Sequence, residues 1–500
     1  MPDATPTDSH TRIEQSLAQA REAMARGDLA QTYALGEAAL NVAPNHAGAM
    51  KLMAEACLAI GLFDDAIHYR RRWLERSPPT PLGQVQLAEA YVHAGRLGDA
   101  LAHYGEAISL DPSFFPAISG RAEVYEMQGN ARRAWKTLEP ALHRSPTHPS
   151  LAAVGIRVLM DSGRLDDAIA LGERVMAADL PEEPQIRSAH LTMARAYERK
   201  KRFADALAAA DRGNAMLRVP FRIEDYVAEN DAILDAFDAA WMADAPRATT
   251  DGSWAVFIVG MPRSGSTLTE RIIHAHPGAF GADEEFSLHL LANRLQHDFA
   301  TGSPWPRAVR DMGTESLDSA AAYYAERLRA RAPGAAAISN KDLANIRRLG
   351  LADLILPGAK FIHTVRDPAD NCLSCYFERL KPVSVPYAAS FDDLAAVYAQ
   401  NLRLADHWRH ACRNDLLTIR YEDLVEDLPG TARRIIDFVG LPWDDRCLRP
   451  HEANRPDRTL SVTQVRKPIY KSAKGRAERY GDLLKPLHEA LDRHGLTSQH

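Results

Sequence analysis

The residue types and spacings best suited to chemistry lie in the second half of this 500-residue chain. Gly260-Met261-Pro262-Arg263-Ser264-Gly265-Ser266-Thr267 follows the apolar run Trp254 to Val259. The stretch after it, Leu268 to His274, has a helical pattern. A short continuous apolar run suits a buried parallel strand. Strand, glycine-bounded loop and helix N-terminus together make an anion site, because backbone N–H groups converge there and the helix dipole favours negative charge. The spacing is that of G-x-x-x-x-G-K-[ST], with Ser266 in the lysine slot. That lysine normally meets β- and γ-phosphates, so its replacement argues against an ordinary ATPase or kinase reaction. Arg263 still offers a cation inside the loop.

A second strand-and-turn follows at Lys360 to Val365, ending in Arg366-Asp367-Pro368. Asp-Pro can open a helix, with the proline in its first turn. Such a helix runs on through Asp370, Leu373, Ser374 and Phe377. Arg366 and Ser374 then both sit near the C-terminal edge of the sheet, where open α/β sheets bind ligands. Taken alone, Arg366-Asp367 reads equally well as a surface ion pair.

Arg263-Ser264-Gly265-Ser266-Thr267, opening a helix, resembles the 5′-phosphosulfate loop of sulfotransferases, particularly the tyrosylprotein sulfotransferase-like group. The likeness runs from about Ala255 to Leu487. It implies that Arg263, Ser264, Gly265, Ser266 and Thr267 hold the 5′ end of 3′-phosphoadenosine 5′-phosphosulfate (PAPS). It implies that Arg366 and Ser374 hold the 3′-phosphate, the group that separates this donor from ATP or ADP. In His276 to Glu285 the family's catalytic base falls on Glu284, with Asp283 and Glu285 as competitors. A hydroxyl is a poor nucleophile until a base takes its proton. In Ser339-Asn340-Lys341-Asp342, Lys341 takes the position that stabilises charge developing on the leaving oxygen. Tyr421 matches an aromatic set against adenine, and Ser461 and Lys467 match positions that close over the donor. The resemblance implies the 3′,5′-bisphosphate (PAP) as product and no metal. Two positions depart from it. Phe286 stands where the tyrosine-sulfating group has an arginine for acidic peptides, and Glu378 replaces a donor-binding arginine. Both bear on the acceptor more than on sulfuryl transfer.

The first half must be a different kind of object. Gly27, Gly61, Gly95, Gly129 and Gly163 recur every 34 residues. Ala66, Ala100, Ala134 and Ala168 follow in phase, as do Pro44, Pro78, Pro112 and Pro146. A glycine that ends one helix at positive φ, alanines that let two helices approach, and a proline that stops the second describe a helix–turn–helix unit. A sixth unit runs in slipped phase, with Lys201 in the glycine slot between Tyr197 and Ala206. The pattern resembles the tetratricopeptide family.

The expected architecture is an all-α tetratricopeptide solenoid of about six repeats over 9–217, connecting helices and a linker over 218–250, and an α/β P-loop-like sulfotransferase domain with a mostly parallel sheet over 251–500. Lys plus Arg number 60 against 66 Asp plus Glu, which gives no global reason to expect nucleic acid as partner. Only 5 cysteines occur, which suggests a reducing compartment. Cys372 and Cys375 form a C-x-x-C pair with no companion cluster for zinc, so packed thiols are expected there. No leader-like segment or membrane span is read, and a cytoplasmic protein is expected. The expected reaction moves a sulfuryl group to an acceptor hydroxyl on a peptide or protein, tyrosine included, with the repeats presenting the acceptor. A glycan, lipid or small-molecule acceptor, with the repeats used for assembly, is the rival reading. A non-catalytic repeat adaptor is a third. Related enzymes are often dimers, so a homodimer is also considered.

Overall fold

The computed structural model describes residues 6–25, 29–178, 180, 184–299, 301–380, 384–452 and 474–496. The chain forms two compact units: one ends at Ala189, and the second comprises the described residues from His190 onward.

The first unit is built of helix pairs such as Ala47–Ala59 with Phe63–Leu74, Pro81–His93 with Leu97–Leu110, and Phe115–Met127 with Ala131–Arg144. The 34-residue period is explained by the turn between the helices of a pair. Gly61, Gly95, Gly129 and Gly163 all have φ between 73° and 79°. At Gly95 the Arg96 N–H donates to Tyr91 O (2.9 Å) and the Gly95 N–H to Val92 O (2.9 Å). These two bonds satisfy carbonyls that the ending helix would otherwise leave open. The phase alanines Ala66, Ala100, Ala134 and Ala168 have no exposed surface, because a larger side chain there would separate the paired helices.

The slipped repeat closes the same way without glycine. Lys201 takes φ 59°, and the Arg202 N–H reaches Tyr197 O at 2.9 Å. Its first helix, Pro184–Arg199, spans the division at Ala189, and its second, Phe203–Ala215, lies within the second unit.

The second unit holds a five-stranded sheet: β1 (Ala255–Gly260), β2 (Ala279–Gly281), β3 (Ala337–Asn340), β4 (Lys360–Val365) and β5 (Leu416–Arg420). The order is β2-β3-β1-β4-β5, and every pairing is parallel. All six residues of β1 are buried. Phe257 and Val259 join one core with Tyr324, Leu404 and Trp408. Val256 and Ile258 join the opposite core with Ile272, Ile362 and Ile435. Burial on both faces is why the strand reads as an unbroken apolar run. β1 is central, with β3 on one side and β4 on the other, so the chain changes direction across the sheet there. Such a switch point opens a crevice at the strands' C-terminal ends.

Residues 218–250 contain the helices Ile223–Ala236 and Ala239–Asp244. The chain after them is pinned to the second unit. Ala248 N–H donates to Leu354 O (2.9 Å), Gly252 N–H to Pro357 O (2.8 Å), and Arg247 pairs with buried Asp353 at 2.7 Å. A Cβ at Gly252 would lie 2.5 Å from the Leu356 carbonyl carbon, so glycine is required by close approach. Among the described residues no helix is long and apolar enough to cross a membrane.

Candidate functional site

The loop after β1 is shaped by backbone conformations that most residues avoid. Gly260 has φ 144°, and a Cβ there would sit 2.4 Å from Thr364 O. Gly265 has φ 100° and is the N-cap of the helix Ser266–His274. No side chain caps that helix, so its first N–H groups face the loop concavity and are available to an anion. Buried Ser264 braces the curve: its Oγ donates to Met261 O at 2.7 Å and lies 2.7 Å from Thr364 Oγ1. Arg263 has φ 67°, a left-handed conformation costing a non-glycine residue about 1 kcal/mol. The strain is held by the loop's neighbours. Asn371 Nδ2 donates to Pro262 O (3.0 Å), and the Cys375 thiol contacts the same carbonyl (3.2 Å). The C-x-x-C cysteines are thus buried, and burial pushes the Cys375 thiol up to about 12.

The second phosphate-site candidates converge on this loop. Asp367 accepts the Asp370 N–H (2.9 Å) and caps the helix Pro368–Tyr376, with Pro368 in its first turn. Arg263 Nε donates to Ser374 Oγ at 3.3 Å. Arg366 is buried; its Nη2 lies 3.4 Å from Asp370 Oδ2 and its Nη1 3.5 Å from Arg263 O. The Arg366 guanidinium sits 4.8 Å from the Tyr421 ring centroid. Tyr398, which sequence reasoning passed over, donates its hydroxyl to Arg366 O at 2.6 Å and fixes the turn. Arg263, Arg366, Ser374 and Tyr421 therefore share one corner at the ends of β1, β4 and β5.

The acidic turn after β2 meets the end of β3 in a separate cluster. Lys341 is 1% exposed, and its Nζ donates to Glu284 Oε1 at 3.1 Å. Glu284 itself is half exposed, with 51% of its side chain accessible. The competing acids are differently engaged. Asp283, at φ 62°, is buried; its N–H donates to Glu270 Oε1 (2.8 Å) and its carbonyl accepts the Lys341 N–H (2.8 Å). Glu285 accepts the N–H and hydroxyl of Ser287, opening the next helix. Asn340 ties the two segments together: Nδ2 donates to Glu285 O (2.9 Å) and Tyr324 OH (3.0 Å), while Oδ1 accepts Asp342 N–H (2.9 Å). The Ser-Asn-Lys-Asp motif contained this clamp, but only the fold reveals what it holds. Burial opposes charge on Lys341, yet Glu284, Glu270 and Asp283 outweigh it and hold the ammonium above its ordinary value. Lys341 stays cationic beside the exposed Glu284 side chain.

Asp342 gives the cluster a pH signature. Burial pushes its carboxyl up to about 6, against Arg348 and with Glu284 and Glu285 adding to the rise. The folded state thus holds the proton that the unfolded chain, titrating near ~3.9, gives up. This contribution to stability is complete below the unfolded value and lost as pH rises through about 6. Asp342→Asn keeps an oxygen for the Ala344 N–H and is expected to stabilise the domain by about 1–3 kcal/mol near neutrality. At about pH 4 the gain should vanish. Denaturant unfolding at the two pH values checks this, and an equal difference at both would contradict it.

Ser461 and Lys467 lie outside the described residues. Among the described residues no group of three or more His, Cys, Asp or Glu side chains is placed to hold a metal ion.

A parallel sheet, a glycine-bounded loop at its switch point and an uncapped helix start define an α/β domain of P-loop-like architecture. Residues 255–445 match the sulfotransferase family and residues 155–216 the tetratricopeptide repeat, so the chain carries a sulfotransferase-family domain behind tetratricopeptide repeats. An uncharacterized protein of Aquifex aeolicus (strain VF5) is 31% identical over 242 residues, covering 47% of this chain and 32% of that protein. Protein-tyrosine sulfotransferase 1 of Danio rerio is 27% identical over 227 residues, covering 42% of this chain and 59% of the relative. The chain thus spans a third to three fifths of the length of these relatives. The sulfotransferase domain of the Synechococcus PCC 7002 olefin synthase aligns over 50% of this chain and 96% of its own length, at 20% identity and a TM-score of 0.34.

Proposed function

We propose that the chain transfers a sulfuryl group from PAPS to an acceptor hydroxyl on a peptide or protein. The observation that carries this reading is the meeting of Arg366 and Ser374 with the Arg263 loop, which joins a second cationic site to a phosphate loop lacking its lysine. The donor supplies the sulfuryl group: the acceptor oxygen bonds to sulfur as the bond from sulfur to the 5′-phosphate oxygen breaks.

The fit of the donor rests on the cradle itself. The space beside Gly260 leaves no room for a side chain, and the uncapped helix start offers N–H donors at Gly265, Ser266 and Thr267. Arg263 and Ser264 flank them. Arg366 and Ser374 would hold the 3′-phosphate, and Tyr421 would lie against adenine. Glu284 takes the acceptor proton from its exposed position beside Lys341 Nζ. Lys341 and Arg263, joined by Ser461, steady the negative charge left on the 5′-phosphate oxygen. A fixed cation at the point where charge develops needs no reorganisation during the step. Lys467 would close over the donor.

Relatives described as protein-tyrosine sulfotransferases support a peptide hydroxyl as acceptor; presentation of that acceptor by the repeats rests on their covalent linkage to the catalytic half. Phe286 favours an acceptor without acidic flanks, which also admits a glycan, lipid or small-molecule hydroxyl. A binding titration of PAP against ADP tests the donor. A charge-assisted contact to the 3′-phosphate is worth about 1.5–3 kcal/mol, so PAP should bind about 10- to 100-fold more tightly. Equal weak binding of both would overturn the assignment.

A further inference from the structure

Glu378 is a puzzle of charge. It lies two residues beyond the Pro368–Tyr376 helix, buried, where the proposed site collects cations for an anionic donor. Its Oε2 is 3.6 Å from Arg263 Nη2, so a carboxylate sits directly behind the loop's own cation. An unbalanced buried anion there would repel bound phosphate and hold Arg263 back from it.

The balance comes from the slipped repeat. The helix Pro184–Arg199 carries Arg195, whose Nη1 lies 3.8 Å from Glu378 Oε1. Each carboxylate oxygen thus faces a different guanidinium. The placement is secured by neighbouring contacts, all within the second unit. Glu198 accepts Arg476 Nε and Nη2 at 2.6 and 2.8 Å, and that guanidinium lies 4.8 Å from the Phe377 ring centroid. Tyr376 donates its hydroxyl to Asp211 Oδ1 (2.7 Å), and Asn214 Nδ2 donates to Tyr376 O (2.9 Å). Tyr376 and Glu378, at the end of the Ser374 helix, are therefore held directly by the last repeat's helices, and Phe377 between them by Arg476, itself bound to Glu198 of that repeat.

We infer that Arg195 is a positioning residue of the donor site, acting through Glu378 to set the orientation and effective charge of Arg263. The inference rests on the donor reading above. Before the donor arrives, Glu378 holds Arg263 toward Ser374. When the anionic 5′ end of an adenosine bisphosphate or phosphosulfate competes for Arg263, Arg195 retains Glu378 and neutralises it. Burial opposes charge on Glu378, but Arg263, Arg195 and Arg379 outweigh it and keep the carboxyl below its ordinary value. The carboxylate is thus a standing charge that needs its second cation. The position at which the family's donor-binding arginine is missing is served from another element.

The test uses the full chain and PAP as probe, read by calorimetric or fluorescence titration. Arg195→Ala is expected to weaken PAP binding about tenfold, since Glu378 then faces the site with one cation fewer. Adding Glu378→Gln to Arg195→Ala should restore affinity to within about threefold of the native chain, because the uncompensated charge is gone. Glu378→Gln alone should bind PAP equally or more tightly. Arg195→Lys, which keeps the charge, should lie close to native. A merely structural role for Arg195 would lower the melting temperature without rescue of affinity by Glu378→Gln. Native-like affinity in Arg195→Ala, or failure of the double variant to recover, would overturn the inference. Weaker binding by Glu378→Gln alone would do so as well, even if Arg195→Ala does not fold. A native chain that prefers ADP or binds neither nucleotide would instead defeat the donor reading itself, a result visible before any variant is made.

Discussion

Glu284→Gln is expected to lower kcat by about 10²- to 10⁴-fold while leaving PAP affinity within about threefold of native. The amide is nearly isosteric and keeps an oxygen toward Lys341 Nζ, so the 3.1 Å contact can survive. What disappears is the ability to accept a proton as the acceptor oxygen attacks sulfur. The loss belongs in kcat, because neither the phosphate loop nor the Arg366 corner includes Glu284 among its contacts. Release of PAP from PAPS with a tyrosine peptide or a phenol as acceptor measures it. The neighbours are the internal control. Glu285→Gln should fall within a few fold of native, since that carboxylate is occupied by Ser287. A Glu284→Gln enzyme within twofold of native would remove Glu284 as base and direct attention to another proton acceptor.

Local features explain why so much of the candidate site's geometry could be read from the chain. A phosphate loop is a run of backbone conformations, and the glycines that permit them must appear in sequence: Gly260, because a side chain would strike Thr364 O, and Gly265 at φ 100°. The repeat period is equally local, since each turn needs one residue at positive φ and each helix pair needs alanine at its closest approach. Lys201 marks the limit of that logic. It adopts the glycine conformation at φ 59°, so only the flanking Tyr197 and Ala206 betray the sixth turn. The parallel sheet follows from central strands, β1, β3 and most of β4, that are buried on both faces and joined by helical crossovers.

Less could be read where distant segments meet. Among three adjacent acids the family resemblance favours Glu284, but residue type alone leaves Asp283 and Glu285 as competitors. The three differ in their surroundings only once Glu270, Lys341 and Ser287 are placed around them. Glu378 read alone is a lost arginine. Its meaning depends on Arg195, which lies on a repeat helix whose period gives no hint of a role at a nucleotide site. Asn340, Tyr398 and Thr364 fall in the same class: each is an ordinary polar residue in the chain and a brace of a turn in the fold.

Arg366→Ala is expected to abolish the preference for PAP over ADP, with a loss of PAP affinity of about 10- to 100-fold. The guanidinium is buried against the Tyr421 ring and within 3.5 Å of Arg263 O, so it links the proposed 3′-phosphate corner to the loop. Removing it takes away a charge-assisted contact available only to a ligand with a 3′-phosphate. ADP has no such group, so its affinity should change by no more than about threefold. Arg366→Lys keeps the charge but loses the planar fork that spans Asp370 and Arg263 O, and should recover only part of the discrimination. The ratio of the two affinities is the informative quantity. General damage to the loop would weaken PAP and ADP together and leave the ratio unchanged, and that outcome would place the 3′-phosphate elsewhere. A ratio that collapses toward one through PAP alone ties the donor's distinguishing phosphate to Arg366, at the switch point between β1 and β4.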